Sequence, residues 1–128
     1  VSDDTWAVFY AEAAARSWDP DHHPDGSSAH YGKDGEPISF RAWAELFGQE
    51  DYKRVAETTV GSYWVSTVWL GINHNFMGDP PLIFETMVFN TVDGSLADDK
   101  YMERYSTIQQ AEQGHGHIVE MVRQLDGL

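Results

Sequence analysis

Residues 63–90 constrain this chain most: two apolar, strand-like runs, 63–72 and 82–90, are joined by the polar loop 71–81. Alternating β-branched and aromatic residues favour extended backbone, so the two runs predict neighbouring antiparallel strands. The second run is apolar on both of its alternating faces, which places it centrally in a sheet. A third signal covers 54–60 and ends at Gly61-Ser62. A short fourth strand over 101–105 is expected after the turn around Gly94.

Helical signals flank these strands. Ser39 is a favourable N-cap for a helix ending near Phe47, with Gly48 as its stop. Phe40, Trp43, Ala44 and Phe47 form its buried stripe, and Ile38 with Trp43 makes a hydrophobic staple. Just before it, Asp34-Gly35 supplies the positive φ of a tight turn. Near the carboxyl end, Ser106 with Gln109, or Thr107 with Gln110, makes a capping box. Beyond it Ile108, Ala111, His115, Ile118, Val122 and Leu125 share one helix face. Residues 1–18 carry Trp6, Phe9, Tyr10, Ala13, Ala14 and Trp18 near helical spacing, although 6–10 also suits a strand, and 19–30 is a turn-rich linker. The expected fold is a single α+β domain: an antiparallel meander of three or four strands within 31–128, with helices packed on one face. At 128 residues, with 5 Trp, 6 Tyr and 6 Phe, the chain has the material for a core of its own.

Charge narrows the function classes. The chain holds 21 Asp and Glu against 8 Lys and Arg, a net charge of −13. Such a surface repels nucleic-acid phosphates and anionic lipid, and favours basic partners, cations or simply solubility. No cysteine is present, which excludes disulfides, thiolate catalysis and Cys-based zinc sites and makes a reducing cytoplasm the expected setting. No apolar run approaches the roughly 18–20 residues that a membrane span requires, and the acidic start Val1-Ser2-Asp3-Asp4 differs from the basic start of a secretory signal. A phosphate-binding Gly-rich loop, HExxH, a nucleophile elbow and an EF-hand loop are all missing, so no cofactor is expected.

The candidate chemistry gathers near the hairpin. Loop 71–81 exceeds the two to five residues usual for hairpins, and long loops are often functional. His74 can shuttle protons or ligate a metal, while Asn73, Asn75 and Asp79 can orient a ligand or hold a hard cation. The competing reading is an Asx-turn loop that satisfies its own backbone. Glu85 alternates with Ile83, Met87 and Phe89, so it sits on an apolar face where a carboxylate needs a partner or a raised pKa. Arg104 is its natural partner, and a structural ion pair is the more common outcome for such a carboxylate than a catalytic acid or base. His115 lies on the apolar face of the last helix between Gly114 and Gly116, a pair that points to close approach by a backbone or ligand, while a hydrogen-bonded core histidine is the competing reading. His117 is rotated by roughly 200° on the same helix and faces solvent. Arg104 and His115 are therefore the residues expected to meet Glu85. His22, His23 and His30, with Asp19, Asp21 and Asp25, form a dense His/Asp cluster. It is a weak metal-site candidate, because its spacing matches no defined site and a polar linker accounts for the composition.

Several segments agree in order with a known pattern: Asp34-Gly35-Glu36-Pro37-Ile38-Ser39 leading to Trp43; Val65-Ser66-Thr67-Val68-Trp69-Leu70-Gly71; His74; Pro80-Pro81-Leu82-Ile83-Phe84-Glu85-Thr86-Met87-Val88-Phe89; and Arg104-Tyr105-Ser106-Thr107 followed by Ala111 and Gly114-His115. Over roughly residues 31–125 the chain resembles a family of short uncharacterised proteins of bacteriophages, prophages and actinobacteria. In that family the residue before the loop histidine is usually acidic, whereas here it is Asn73, and 90–102 also departs from the pattern. The resemblance implies a phage or mobile-element setting and carries no activity.

The expected function is that of a small acidic binding protein acting stoichiometrically on a host protein or small ligand, in counter-defence or regulation. Asn73, His74, Asn75, Asp79, Glu85, Arg104 and His115 would contact a ligand or partner. A DNA mimic that inhibits a nucleic-acid-binding host protein would instead array carboxylates on one face. A small hydrolase-like enzyme would bring His74, Glu85 and His115 into one pocket with Arg104. A scaffold or virion component would form a large homo-oligomer, whereas the binding reading expects a monomer or small homo-oligomer.

Overall fold

A computed structural model describes residues 30–73 and 80–127, with Asp99 described by its backbone alone. The helix or strand expected within 1–18, and the linker up to residue 29, lie outside the described residues. Four strands follow one another in sequence and in space: β1 (Arg54–Val60), β2 (Tyr63–Trp69), β3 (Phe84–Asn90) and β4 (Glu103–Tyr105). They form one antiparallel sheet in the order β1-β2-β3-β4. β3 is internal, as its two-sided apolarity requires. The fold is α+β, and among the described residues no helix is long and apolar enough to cross a membrane.

Strand β2 stops at Trp69 rather than Ile72 for a backbone reason. Gly71 adopts φ +73°, and the Leu70 and Gly71 N–H groups both turn to the Ile83 carbonyl, at 2.7 and 3.2 Å. A side chain at Gly71 would collide with the rings of Trp69 and Trp43. The indole N–H of Trp43 donates to Leu70 O at 2.9 Å, and that of Trp69 to Tyr31 O at 3.0 Å. Both buried tryptophans thus satisfy their one donor and tie the turn at 31–37 to the end of β2. Strand β4 is shorter than 101–105 because Asp99–Tyr101 forms a 3₁₀ turn.

Helix α1 (Phe40–Phe47) begins where Ser39 Oγ accepts the Ala42 N–H at 3.1 Å. A single further turn, α2 (Glu50–Lys53), leads into β1; it is too short to leave a periodic signal. The long helix α3 (Ile108–Asp126) opens on the Thr107–Gln110 capping box, the second of the two possible registers. It lies across the sheet and touches all four strands.

Side chains alternate along each strand, so the register sorts them into two faces. Val65, Thr67 and Trp69 of β2, Phe84, Thr86 and Val88 of β3, and Tyr105 of β4 face α3. The apolar side chains on this side form two clusters. One joins Phe40 and Trp43 of α1 to Trp69, Phe84, Tyr105 and Ala111; the other joins Val65, Val88 and Tyr101 to Ile118, Val119 and Val122. Each fully buried aliphatic or aromatic side chain contributes roughly 1.5–3 kcal/mol. Between the clusters runs a polar layer, with Thr67 and Thr86 fully buried.

The two glycines around His115 differ. A methyl on Gly114 would overlap the ring and hydroxyl of Tyr105, whereas one on Gly116 would meet nothing. Gly114 is a close approach of helix to strand, and Gly116 has no packing reason. Urea unfolding should therefore show opposite signs: Gly114→Ala loses about 1–3 kcal/mol to overpacking, and Gly116→Ala gains about 0.5–1 kcal/mol from helix propensity.

Candidate functional site

Strand register decides which candidate side chains can meet. Thr67 lies opposite Thr86, and Thr86 opposite Glu103; Glu85 lies opposite Val68 and Arg104. Neighbouring positions of β3 therefore serve opposite faces of the sheet.

On the α3 side, His115 sits between two threonines. Its Nε2 is 2.9 Å from Thr58 Oγ1, and its Nδ1 is 2.8 Å from Thr67 Oγ1. Thr67 Oγ1 is 2.5 Å from Thr86 Oγ1, which is 3.0 Å from the Tyr105 hydroxyl. That hydroxyl is in turn 3.1 Å from the Glu103 carboxylate. The row crosses the whole sheet, from β1 to β4, with the helix contributing the imidazole. Burial holds the His115 pKa below its ordinary 6.5, because a charged ring loses its water there. Burial is also the main reason that the Tyr105 hydroxyl is pushed up to about 12, and the nearby Glu103 charge adds to it.

On the other side, the Arg104 Nε donates to Glu85 Oε2 at 2.9 Å. Glu85 is buried, while the Arg104 side chain is 36% exposed. Around them stand the half-buried Trp64, Val68, Met87 and Phe89, with the Trp64 and Phe89 rings 5.3 Å apart. Among the described residues no helix covers this second face. Beside it a cleft of about 340 Å³ is lined by Phe47, Lys53, Arg54, Glu57, Trp64 and Val68 among others. Its cations are internally paired, Lys53 with Glu50 at 3.2 Å and Arg54 with Glu57 at 3.5 Å.

The structure brings Glu85 and Arg104 together and keeps His115 apart from them, because the sheet itself stands between. The expectation that His115 meets Glu85 is corrected on this point: Glu85 is one position from Thr86, and a one-residue step reverses the face. Asn73 accepts the Leu82 N–H at 3.1 Å and so closes the base of the long loop. His74, Asn75 and Asp79 lie outside the described residues, as do His22 and His23. His30 is buried with its ring 5.6 Å from Phe40 and 5.1 Å from Trp43, and its carbonyl accepts the Ile38 N–H. The end of the expected linker is therefore part of the core margin. His117 is exposed, as its helical angle requires. Among the described residues, no group of three or more His, Asp or Glu is placed to hold a metal ion.

Thr58, Thr67, Thr86, Glu103 and Tyr105 were not singled out by sequence reasoning, though a signal exists. At period two, Thr67 falls between Val65 and Trp69, and Thr86 between Phe84 and Val88. Two hydroxyls interrupting apolar stripes in neighbouring strands mark a buried polar contact.

In comparisons with known proteins, no family model, no curated protein and no solved structure matches the chain.

Two stability measurements follow from this geometry. Arg104→Met strips a buried carboxylate of its partner and should cost about 1–2 kcal/mol, whereas Glu85→Leu/Arg104→Met together should cost less than the single change. The contribution from keeping His115 neutral is complete above its unfolded value of 6.5 and declines as pH falls through it toward the lowered folded value. Melting temperatures taken from about pH 8 down to about pH 5 should thus fall more steeply for the native chain than for His115→Gln.

Proposed function

We propose that this chain is a stoichiometric binding protein whose open sheet face, Trp64, Val68, Met87 and Phe89 around Glu85–Arg104, takes a basic protein surface. The observation that carries this reading is the division of polar groups between the two faces. Both nitrogens of His115 are engaged by threonines, and Glu85 is engaged by Arg104 on the far side of the sheet. An acid–base pair sharing one pocket, which the enzyme reading needs, is not formed by these residues. Half-buried aromatic and aliphatic side chains flanking a part-buried ion pair are instead the makings of an interface centre. The net charge of −13 favours a basic partner and speeds its approach.

The DNA-mimic reading gains less support. Among the described residues, exposed carboxylates occur on α1 (Glu45), on α3 (Glu112, Glu120), on the opposite sheet face (Glu57) and in the turn at Asp93, so those described form no single-sided row. The phage-like segments and the absence of cysteine support a host protein in the cytoplasm as the partner, with a counter-defence or regulatory outcome.

Affinity capture from the natural host, followed by titration with the purified captured protein, tests this. A basic partner should bind one-to-one and weaken as salt rises. Met87→Lys should reduce affinity at least about tenfold, while Glu112→Gln, which changes net charge by the same amount, should leave it within about threefold. Equal effects of the two changes would overturn the assignment of the face. A turnover abolished by Glu85→Gln would replace binding with catalysis.

A further inference from the structure

The Tyr105 hydroxyl is placed to donate to two acceptors, Thr86 Oγ1 at 3.0 Å and a Glu103 carboxylate oxygen at 3.1 Å, but it has only one hydrogen. A carboxylate can only accept, so the Glu103 contact is a hydrogen bond only when Tyr105 donates to it. Bonds to a charged acceptor are also the stronger kind. With its hydrogen on Glu103, Tyr105 must accept from Thr86. Thr86 has then used its own hydrogen, so Thr67 is the donor in the Thr67–Thr86 contact. Thr67 in turn must accept from His115, which puts a hydrogen on Nδ1. In a neutral imidazole Nε2 is then bare, and it accepts from the Thr58 hydroxyl. Each link has one solution once the first is set.

We propose that these six side chains form a one-way hydrogen-bond relay that reports the state of Glu103 at the β4 edge to His115 and Thr58 at the β1 edge, and that holds His115 as its Nδ1–H tautomer. Proximity alone would not select this form, since an unconstrained neutral histidine prefers the hydrogen on Nε2.

The relay has a second arrangement in which every donor is reversed. Tyr105 then donates to Thr86, Thr86 to Thr67, and Thr67 to Nδ1, while Nε2–H donates to Thr58. All internal contacts survive, but Glu103 loses its donor. Interconversion rotates four hydroxyls and moves one hydrogen from Nδ1 to Nε2 by exchange with water; no charge changes. A cation or hydrogen-bond donor seated on Glu103 competes with Tyr105 for the carboxylate and favours the reversed arrangement. The Thr58 hydrogen, held by Nε2 in the first arrangement, is then free for a partner at the β1 edge. The two edges are coupled in the thermodynamic sense, since a ligand at either one shifts the other.

Nuclear magnetic resonance of the chain with labelled histidine tests this near neutral pH, because protonated and bare ring nitrogens have distinct ¹⁵N shifts. In the native chain the Nδ1–H form of His115 should exceed the Nε2–H form by about tenfold, the margin expected of a charge-assisted bond over a neutral one. Glu103→Leu leaves Tyr105 only Thr86 to donate to, and Tyr105→Phe leaves Thr86 only Thr67. Both should invert the ratio toward Nε2–H while the amide spectrum stays folded. If one variant fails to fold, the other decides. A native chain with Nε2–H, or a folded variant that keeps Nδ1–H, would overturn the relay.

Discussion

The burial of polar atoms beneath α3 is the constraint on which the rest of this structure depends. Thr67 and Thr86 are fully buried and His115 nearly so, and a buried polar group without a partner costs about 1–3 kcal/mol. Their hydrogen bonds demand one register: Thr67 level with Thr86, and His115 directly above Thr67. A helix shifted by one turn would set an apolar side chain against the threonines and the imidazole against aliphatic groups. The polar layer therefore positions the helix on the sheet more sharply than the apolar clusters on either side, which tolerate sliding. The bare Gly114 lets the helix come close enough for the layer to close, because the Tyr105 ring occupies the space of a side chain there.

That same layer shapes the functional reading. By engaging the one described imidazole that lies under the helix, it removes His115 from any chemistry on the opposite face. Among the described residues, the opposite face carries aromatic and aliphatic side chains with the Glu85–Arg104 and Arg54–Glu57 ion pairs, the arrangement on which the proposed binding function rests. Under the proposed binding function, the net charge of −13 would select basic partners before they touch.

Much of the architecture was legible in the sequence because it rests on local rules. Strand β1 spans the residues its alternation marks, Arg54–Val60. The start of α1 follows from Ser39, and that of α3 from a capping box. Other features escaped because they are decided by residues far apart in the chain. The end of β2 depends on Gly71 turning its backbone against Trp43, and the position of Glu85 relative to His115 depends on pairing among β2, β3 and β4. On β3 both faces are apolar, so alternation alone left open which face the helix would cover.

Taken alone, the sequence determined where the strands and the two longer described helices lie, Ser39 as the cap of α1, a capping box in one of two registers for α3, that β3 is internal, and that the net charge is strongly negative. These follow from side-chain period, capping chemistry and charge, all of which act within a few residues. The tertiary structure alone decided that Glu85 joins Arg104 on one face, and that His115 joins Thr58 and Thr67 on the other. The physical reason is that a strand offers its neighbouring residues to opposite sides, and only packing of α3 selects the side that becomes the core.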